Sequence, residues 1–111
     1  MSALSEKIRK AREVTVEAAG FSFTVRRPTD LEMIELRKNT IGRAILPFVV
    51  GWGTVSELDI LGTGTPHPLD FDPVACADWL EDRVDILSAV VEAVFKSYEE
   101  HRAKLAESVK N

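Results

Sequence analysis

The sequence predicts an α+β fold, mainly helical, with an N-terminal β-hairpin and a long C-terminal helix. Three observations carry this. Apolar and polar residues alternate with period two on both sides of Ala19-Gly20. Helix-start signals stand at Thr29 and at Asp72-Pro73. A stripe of Leu87, Val90, Val91, Val94, Phe95 and Tyr98 recurs at helical spacing near the C-terminus.

Residues 1–12 are polar and basic, with Lys7, Arg9, Lys10 and Arg12 around Ile8. They are expected to form a flexible leader, either a frayed helical turn or disordered chain. The hairpin is expected over 13–27. Val14 and Val16 share one face of its first strand, and Phe21, Phe23 and Val25 share one face of its second. Ala19-Gly20 is not the strongest turn pair, which leaves the register open by a residue. A lone hairpin is marginal in water. Its apolar face must therefore pack on helices, or its edge must pair with another chain.

Pro28 ends the second strand. Thr29-Asp30-Leu31-Glu32 fits a capping box, in which the Thr29 hydroxyl accepts from the Glu32 amide while the Glu32 carboxylate reaches back. A helix is expected over 30–41, with Leu31, Met33 and Ile34 starting its apolar side. A second helical segment is expected over 43–51, around Pro47, ending at Gly51-Trp52-Gly53. Residues 53–71 carry Gly62, Gly64, Pro66 and Pro68 and read as a long irregular loop. Asp72 as N-cap and Pro73 at the first helical position open a helix over 73–82. A break near 82–84 precedes the last helix, expected over 85–109 with Asp85 as its cap. Beyond Tyr98 the apolar stripe thins to Leu105 and Val109, so the end of this helix is expected to project.

The composition fits one globular domain over 13–111: 111 residues in all, 45% hydrophobic and 29% charged. No apolar run approaches the roughly 20 residues that span a bilayer, and the start lacks a signal-peptide stretch. A single cysteine, Cys76, permits no internal disulfide and fits a reducing cytoplasm. Charge is uneven. Residues 1–43 hold nine Lys/Arg against six Asp/Glu, a net of +3, and residues 44–111 hold five against twelve, a net of −7. Either both faces are simply solvated, or the asymmetry draws copies together head to tail. The basic run has no interleaved aromatics and the chain is acidic, which argues against nucleic acid as a partner.

Catalytic signatures are absent: no Gly-x-Ser-x-Gly elbow, no His-Glu-x-x-His, no phosphate loop. Gly62-Thr63-Gly64 follows no strong strand and precedes prolines where a helix would have to begin. His67, Asp70 and Asp72 have the chemistry of metal ligands or of a small hydrolase site, but no specifying spacing. Cys76 reads as a small buried thiol in a helix. No catalytic residue, cofactor or metal is therefore expected. Trp52, between two glycines, either anchors the loop or docks a partner.

One ordered set of motifs is more specific. Phe23-Thr24-Val25-Arg26-Arg27-Pro28-Thr29 runs from strand into capped helix. Val49-Val50-Gly51-Trp52 follows an apolar helix. A Gly/Pro-rich loop then reaches Pro68-Leu69-Asp70-Phe71-Asp72-Pro73, and a long helix carries Tyr98. In order and spacing, over about residues 21–100, this resembles the small tail assembly chaperones encoded beside the tape-measure gene of siphophages. The resemblance implies a protein that binds the tape-measure protein, keeps it soluble and helps recruit tail-tube protein. It implies action in the host cytoplasm and absence from the mature virion. It also implies a longer form made by frameshifting, of which this chain would be the shorter.

Such a chaperone needs apolar patches for a helical client. The candidates are the hairpin face (Phe21, Phe23, Val25), Trp52 with its loop, and the outer last helix (Tyr98, Leu105, Val109). Self-association through the hairpin edge or the charge asymmetry is a further expectation. The alternative from another class is a structural tail-completion or connector protein that stays in the virion.

Overall fold

The computed structural model describes residues 2–38 and 41–110, and the side chains of Ile41, Val109 and Lys110 lie outside the description. It is an α+β fold in which a three-stranded antiparallel sheet packs against helices.

The basic leader folds as a helix, α1 (Ala3–Ala11), of nine residues. Ser2 caps it by accepting from the Ser5 amide at 3.1 Å. Glu6 in its first turn and Arg9 and Lys10 in its last complement the helix dipole. β1 (Glu13–Ala18) and β2 (Phe21–Arg26) form the expected hairpin. Ala18 pairs with Phe21, so the turn is Ala19-Gly20 alone, with φ of 52° and 85°. Positive φ at both central positions is the type I′ geometry that matches strand twist. It settles the register: Val14 faces Val25 and Val16 faces Phe23.

α2 (Asp30–Leu36) opens with the full capping box between Thr29 and Glu32. It ends earlier than expected at its C-terminus, and Thr40 lies outside the described residues. The segment expected as one helix over 43–51 is three things: α3 (Ile41–Ile45), a 3-10 turn (Leu46–Phe48) and a strand, β3 (Val49–Trp52). Pro47 has no amide hydrogen to continue a helix, and β-branched Val49 and Val50 favour extended backbone. β3 pairs antiparallel with β2, so the β2 edge of the hairpin is covered from within the chain, while β1 stays at the edge of the sheet. The register shifts between Thr24 and Val25. This bulge lets Val49, opposite Val25, and Trp52, opposite Phe23, both face inward although they are three residues apart.

The expected irregular loop over 53–71 contains a short helix, α4 (Glu57–Leu61). Ser56 and Asp59 form its capping box, and Gly62 closes it in the left-handed region at φ 75°. The loop is closed at its base by a bridge between Ser56 and Pro68 and by the Leu69 amide donating to the Val55 carbonyl at 2.7 Å. Val55 is fully buried there. α5 (Pro73–Glu81) starts as expected, with the Asp72 carboxylate accepting from the Val74 and Ala75 amides. α6 (Val84–Lys110) begins one residue before the expected cap. Asp85 lies in its first turn, where Arg83 donates to it through Nε at 3.0 Å and Nη2 at 2.9 Å.

The core joins Phe23 and Val25 of β2, Ile45, Phe48 and Val49, Trp79 and Leu80 of α5, and Ile86, Val90 and Val94 of α6. Each fully buried aliphatic side chain contributes about 1.5–3 kcal/mol. From Arg102 to Ser108 every described side chain on α6 is exposed, so the end of this helix leaves the body as expected.

Candidate partner-binding surfaces

The hairpin face does not face outward. Phe23 and Val25 are fully buried, because α5 and α6 cover this side of the sheet, and neither can touch a partner. Phe21 is half-buried and meets the Trp79 ring edge-on at 5.1 Å. This corrects the expectation that the hairpin presents an apolar surface: the alternation marked core.

Trp52 is also engaged within the chain. Its indole N–H donates to the Leu69 carbonyl at 3.0 Å. Its ring packs edge-on against Phe71 at 5.2 Å and Trp79 at 6.4 Å. Of its two readings, the geometry builds the loop anchor: one side chain ties β3 to the far end of the loop and to α5. The Val109 side chain lies outside the described residues.

The exposed apolar surface lies elsewhere. α2 buries Met33 and Leu36, while Leu31 and Ile34, expected on its apolar side, are 77% and 48% exposed. Beside them runs a groove of about 610 Å³ between α2 and α6, lined by Met33, Ile34, Arg37, Phe95, Tyr98 and Arg102 among others. Phe95, Tyr98, Arg102 and Leu105 recur at spacings of three and four and so share one face of α6. Leu105 is 45% exposed on the projecting end. The groove thus opens onto a helical stripe whose inner part, Phe95 and Tyr98, packs on the body and whose outer end, at Leu105, is exposed. Of the sequence candidates, Tyr98 and Leu105 lie on this surface.

Its charges are arranged around Asp30. The Tyr98 hydroxyl donates to the Asp30 carboxylate at 2.7 Å, and Arg102 lies 3.9 Å from it. The hydrogen bond from Tyr98 holds the Asp30 carboxyl below its ordinary range and raises the phenol in turn. Behind them, burial and the neighbouring Arg12 lower Arg27, and burial and Arg27 lower His101. Both signs therefore line the groove, Asp30 and Glu99 with Arg37 and Arg102, around an apolar floor. That pattern suits an amphipathic helix carrying charges beside its apolar stripe.

Sequence reasoning missed Leu31, Ile34, Arg37 and Phe95 as surface residues. One signal was present: in so short a helix, Leu31/Ile34 and Met33/Leu36 form two apolar pairs on different faces, and one small core takes only one of them.

Other chemistry-bearing side chains do not converge. His67 and Asp70 are exposed, and the Asp72 carboxylate is occupied as a cap. Among the described residues no three His, Cys, Asp or Glu side chains form a group that could hold a metal. Cys76 is buried, and burial with nearby Asp72 pushes its thiol up to about 11. Among the described residues no helix is long and apolar enough to cross a membrane. Comparison with known protein families, with curated proteins and with solved structures finds no match.

Proposed function

We propose that this chain is a binding chaperone of phage tail assembly, not an enzyme, and that it holds the helical tape-measure protein in the groove between α2 and α6. The observation that carries the reading is that groove: an apolar floor bordered by exposed Leu31 and Ile34, with charges of both signs, continuing onto the free face of α6 at Leu105. A long helical client has apolar stripes that need cover before assembly, and a groove flanked by a projecting helix provides it. The order of motifs over residues 21–100 supplies the identity of the client, and with it a role in recruiting tail-tube protein in the host cytoplasm without retention in the virion.

Co-expression with the tape-measure protein tests this. The pair is expected to be recovered together at low salt. A Leu31→Glu/Ile34→Glu variant, altered only at exposed positions, is expected to keep its circular dichroism and lose about 90% or more of the capture, the effect of roughly 1.4 kcal/mol or more. No recovery by the wild-type chain would sink the reading. Mass spectrometry of purified virions is expected to find no stoichiometric copies.

A further inference from the structure

The groove between α2 and α6 leaves α1 unexplained. None of its side chains is buried. Leu4, Ile8 and Ala11, spaced four and three apart, form an apolar stripe, and Leu4 and Ile8 are 66% and 45% exposed. Residues 3–12 hold four Lys/Arg against one Glu. Among the described residues, Lys7, Arg9 and Lys10 have no ion pair. A capped, amphipathic, basic helix thus leaves its apolar stripe open to solvent.

The complementary surface lies at the other end of the sheet. Residues 57–85 hold eight Asp/Glu and one Arg. Within them, Ile60, Leu61, Ala75, Trp79, Asp59, Asp78, Asp82 and Arg83 line a groove of about 420 Å³ between α4 and α5. Leu61 is 64% exposed. The one cation there, Arg83, is already paired with Asp85, while Asp78 and Asp82 have no ion pair among the described residues. An apolar floor rimmed by unpaired carboxylates is the counterpart of an apolar stripe flanked by unpaired cations.

α1 does not serve its own groove. Arg12, at its end, bonds through its carbonyl to the Arg27 amide, where β1 begins. Trp79 packs on Phe21, at the turn end of the hairpin. A six-residue strand separates these ends by roughly 17 Å.

We infer that α1 of one copy docks into the α4–α5 groove of a second copy, giving head-to-tail self-association. The contact is heterologous, so each added copy leaves one free α1 and one free groove. A nine-residue helix makes a small interface, so the association is weak, on the order of micromolar to millimolar.

Sedimentation velocity tests it with the full chain. At about 50 mM NaCl the average mass is expected to rise with concentration, and about 500 mM NaCl is expected to weaken the association by about tenfold or more. Leu4→Ser/Ile8→Ser removes the helix stripe, and Asp78→Lys/Asp82→Lys reverses the groove rim. All four positions are outside the core, so both variants are expected to keep the wild-type circular dichroism. Each alone is expected to remain monomeric. Mixed in equal amounts they are expected to form a 1:1 dimer and nothing larger, because one intact helix meets one intact groove. A wild-type chain monomeric to about 1 mM at low salt overturns the inference. So does self-association that survives either double substitution, or a mixture that stays monomeric. Anionic phospholipid vesicles that bind wild type but not Leu4→Ser/Ile8→Ser, with no self-association, would assign α1 to a membrane surface instead.

Discussion

Glu32 shows how one side chain can close two structures at once. Its carboxylate accepts from both Arg26 terminal nitrogens, at 2.8 and 2.9 Å, and from the Thr29 amide at 3.0 Å. It therefore ties the end of β2 to the start of α2, while the Arg26 guanidinium lies 4.3 Å above the Phe48 ring. The bond from Arg26, and then that from Thr29, hold its pKa below the ordinary glutamate range. A carboxyl with a folded pKa below its unfolded one stabilises the fold fully above the unfolded value. That contribution is lost as pH falls through the folded value. Glu32→Gln is expected to lower stability by about 1–2 kcal/mol at pH near 7, with the gap closing as pH drops below about 4. Urea midpoints of the two chains across that range measure it; a gap independent of pH would show that the ionised carboxylate contributes nothing. Ala19 is a second residue-scale case. It holds φ 52°, a region that costs a residue with a Cβ about 1–2 kcal/mol. Ala19→Gly or Ala19→Asn, the residues type I′ turns favour, is expected to raise stability by about 0.5–1 kcal/mol, read from the same unfolding curves.

At the scale of elements, β3 and the loop behind it form a unit through Trp52. Its indole bonds the Leu69 carbonyl, and its ring meets Phe71 and Trp79. Trp52→Phe keeps a ring but removes the N–H, and is expected to cost about 0.5–1.5 kcal/mol, the net worth of an exposed hydrogen bond whose carbonyl can turn to water. Hydrogen exchange is expected to quicken at the Leu69 amide, which closes the loop on Val55; unchanged protection there would separate Trp52 from the loop. The elements that were legible in the sequence are those written in local chemistry. The hairpin has its alternation, α2 its Thr29–Glu32 box, α5 its Asp72-Pro73 start and α6 its stripe. β3 was not, because four residues of VVGW carry no period of their own and become a strand only when β2 offers an edge. α4 was readable in retrospect, from Ser56 and Asp59 before Gly62, but the surrounding glycines and prolines masked it. The candidate surface was half legible. Tyr98 and Leu105 lie on it, whereas Phe23 and Val25 are core, because alternation locates a buried face and never says which neighbour buries it.

At the scale of the molecule, the chain divides its apolar residues between a core that holds the fold and exposed surfaces, among them the three on which binding is proposed. α1, the α4–α5 groove and the α2–α6 groove share no lining residue. Self-association and client binding are therefore separable by mutation: Leu31→Glu/Ile34→Glu should leave head-to-tail contacts intact, and Leu4→Ser/Ile8→Ser should leave client capture intact. The projecting end of α6 gives the sharpest separation of stability from binding. Deleting residues 103–111 keeps Arg102 beside Asp30 and removes side chains that, where described, are all exposed, Leu105 among them. Exposed positions of this kind contribute little to folding, so the truncated chain is expected to unfold within about 0.5 kcal/mol of wild type. Its client capture is expected to fall severalfold, because the groove then ends where the α6 stripe should continue. Thermal unfolding and pull-down on the same preparation decide it. A large loss of stability would mean that the helix end is held by the body. Undiminished capture would mean that a client stops at Tyr98 and Arg102 and never reaches Leu105.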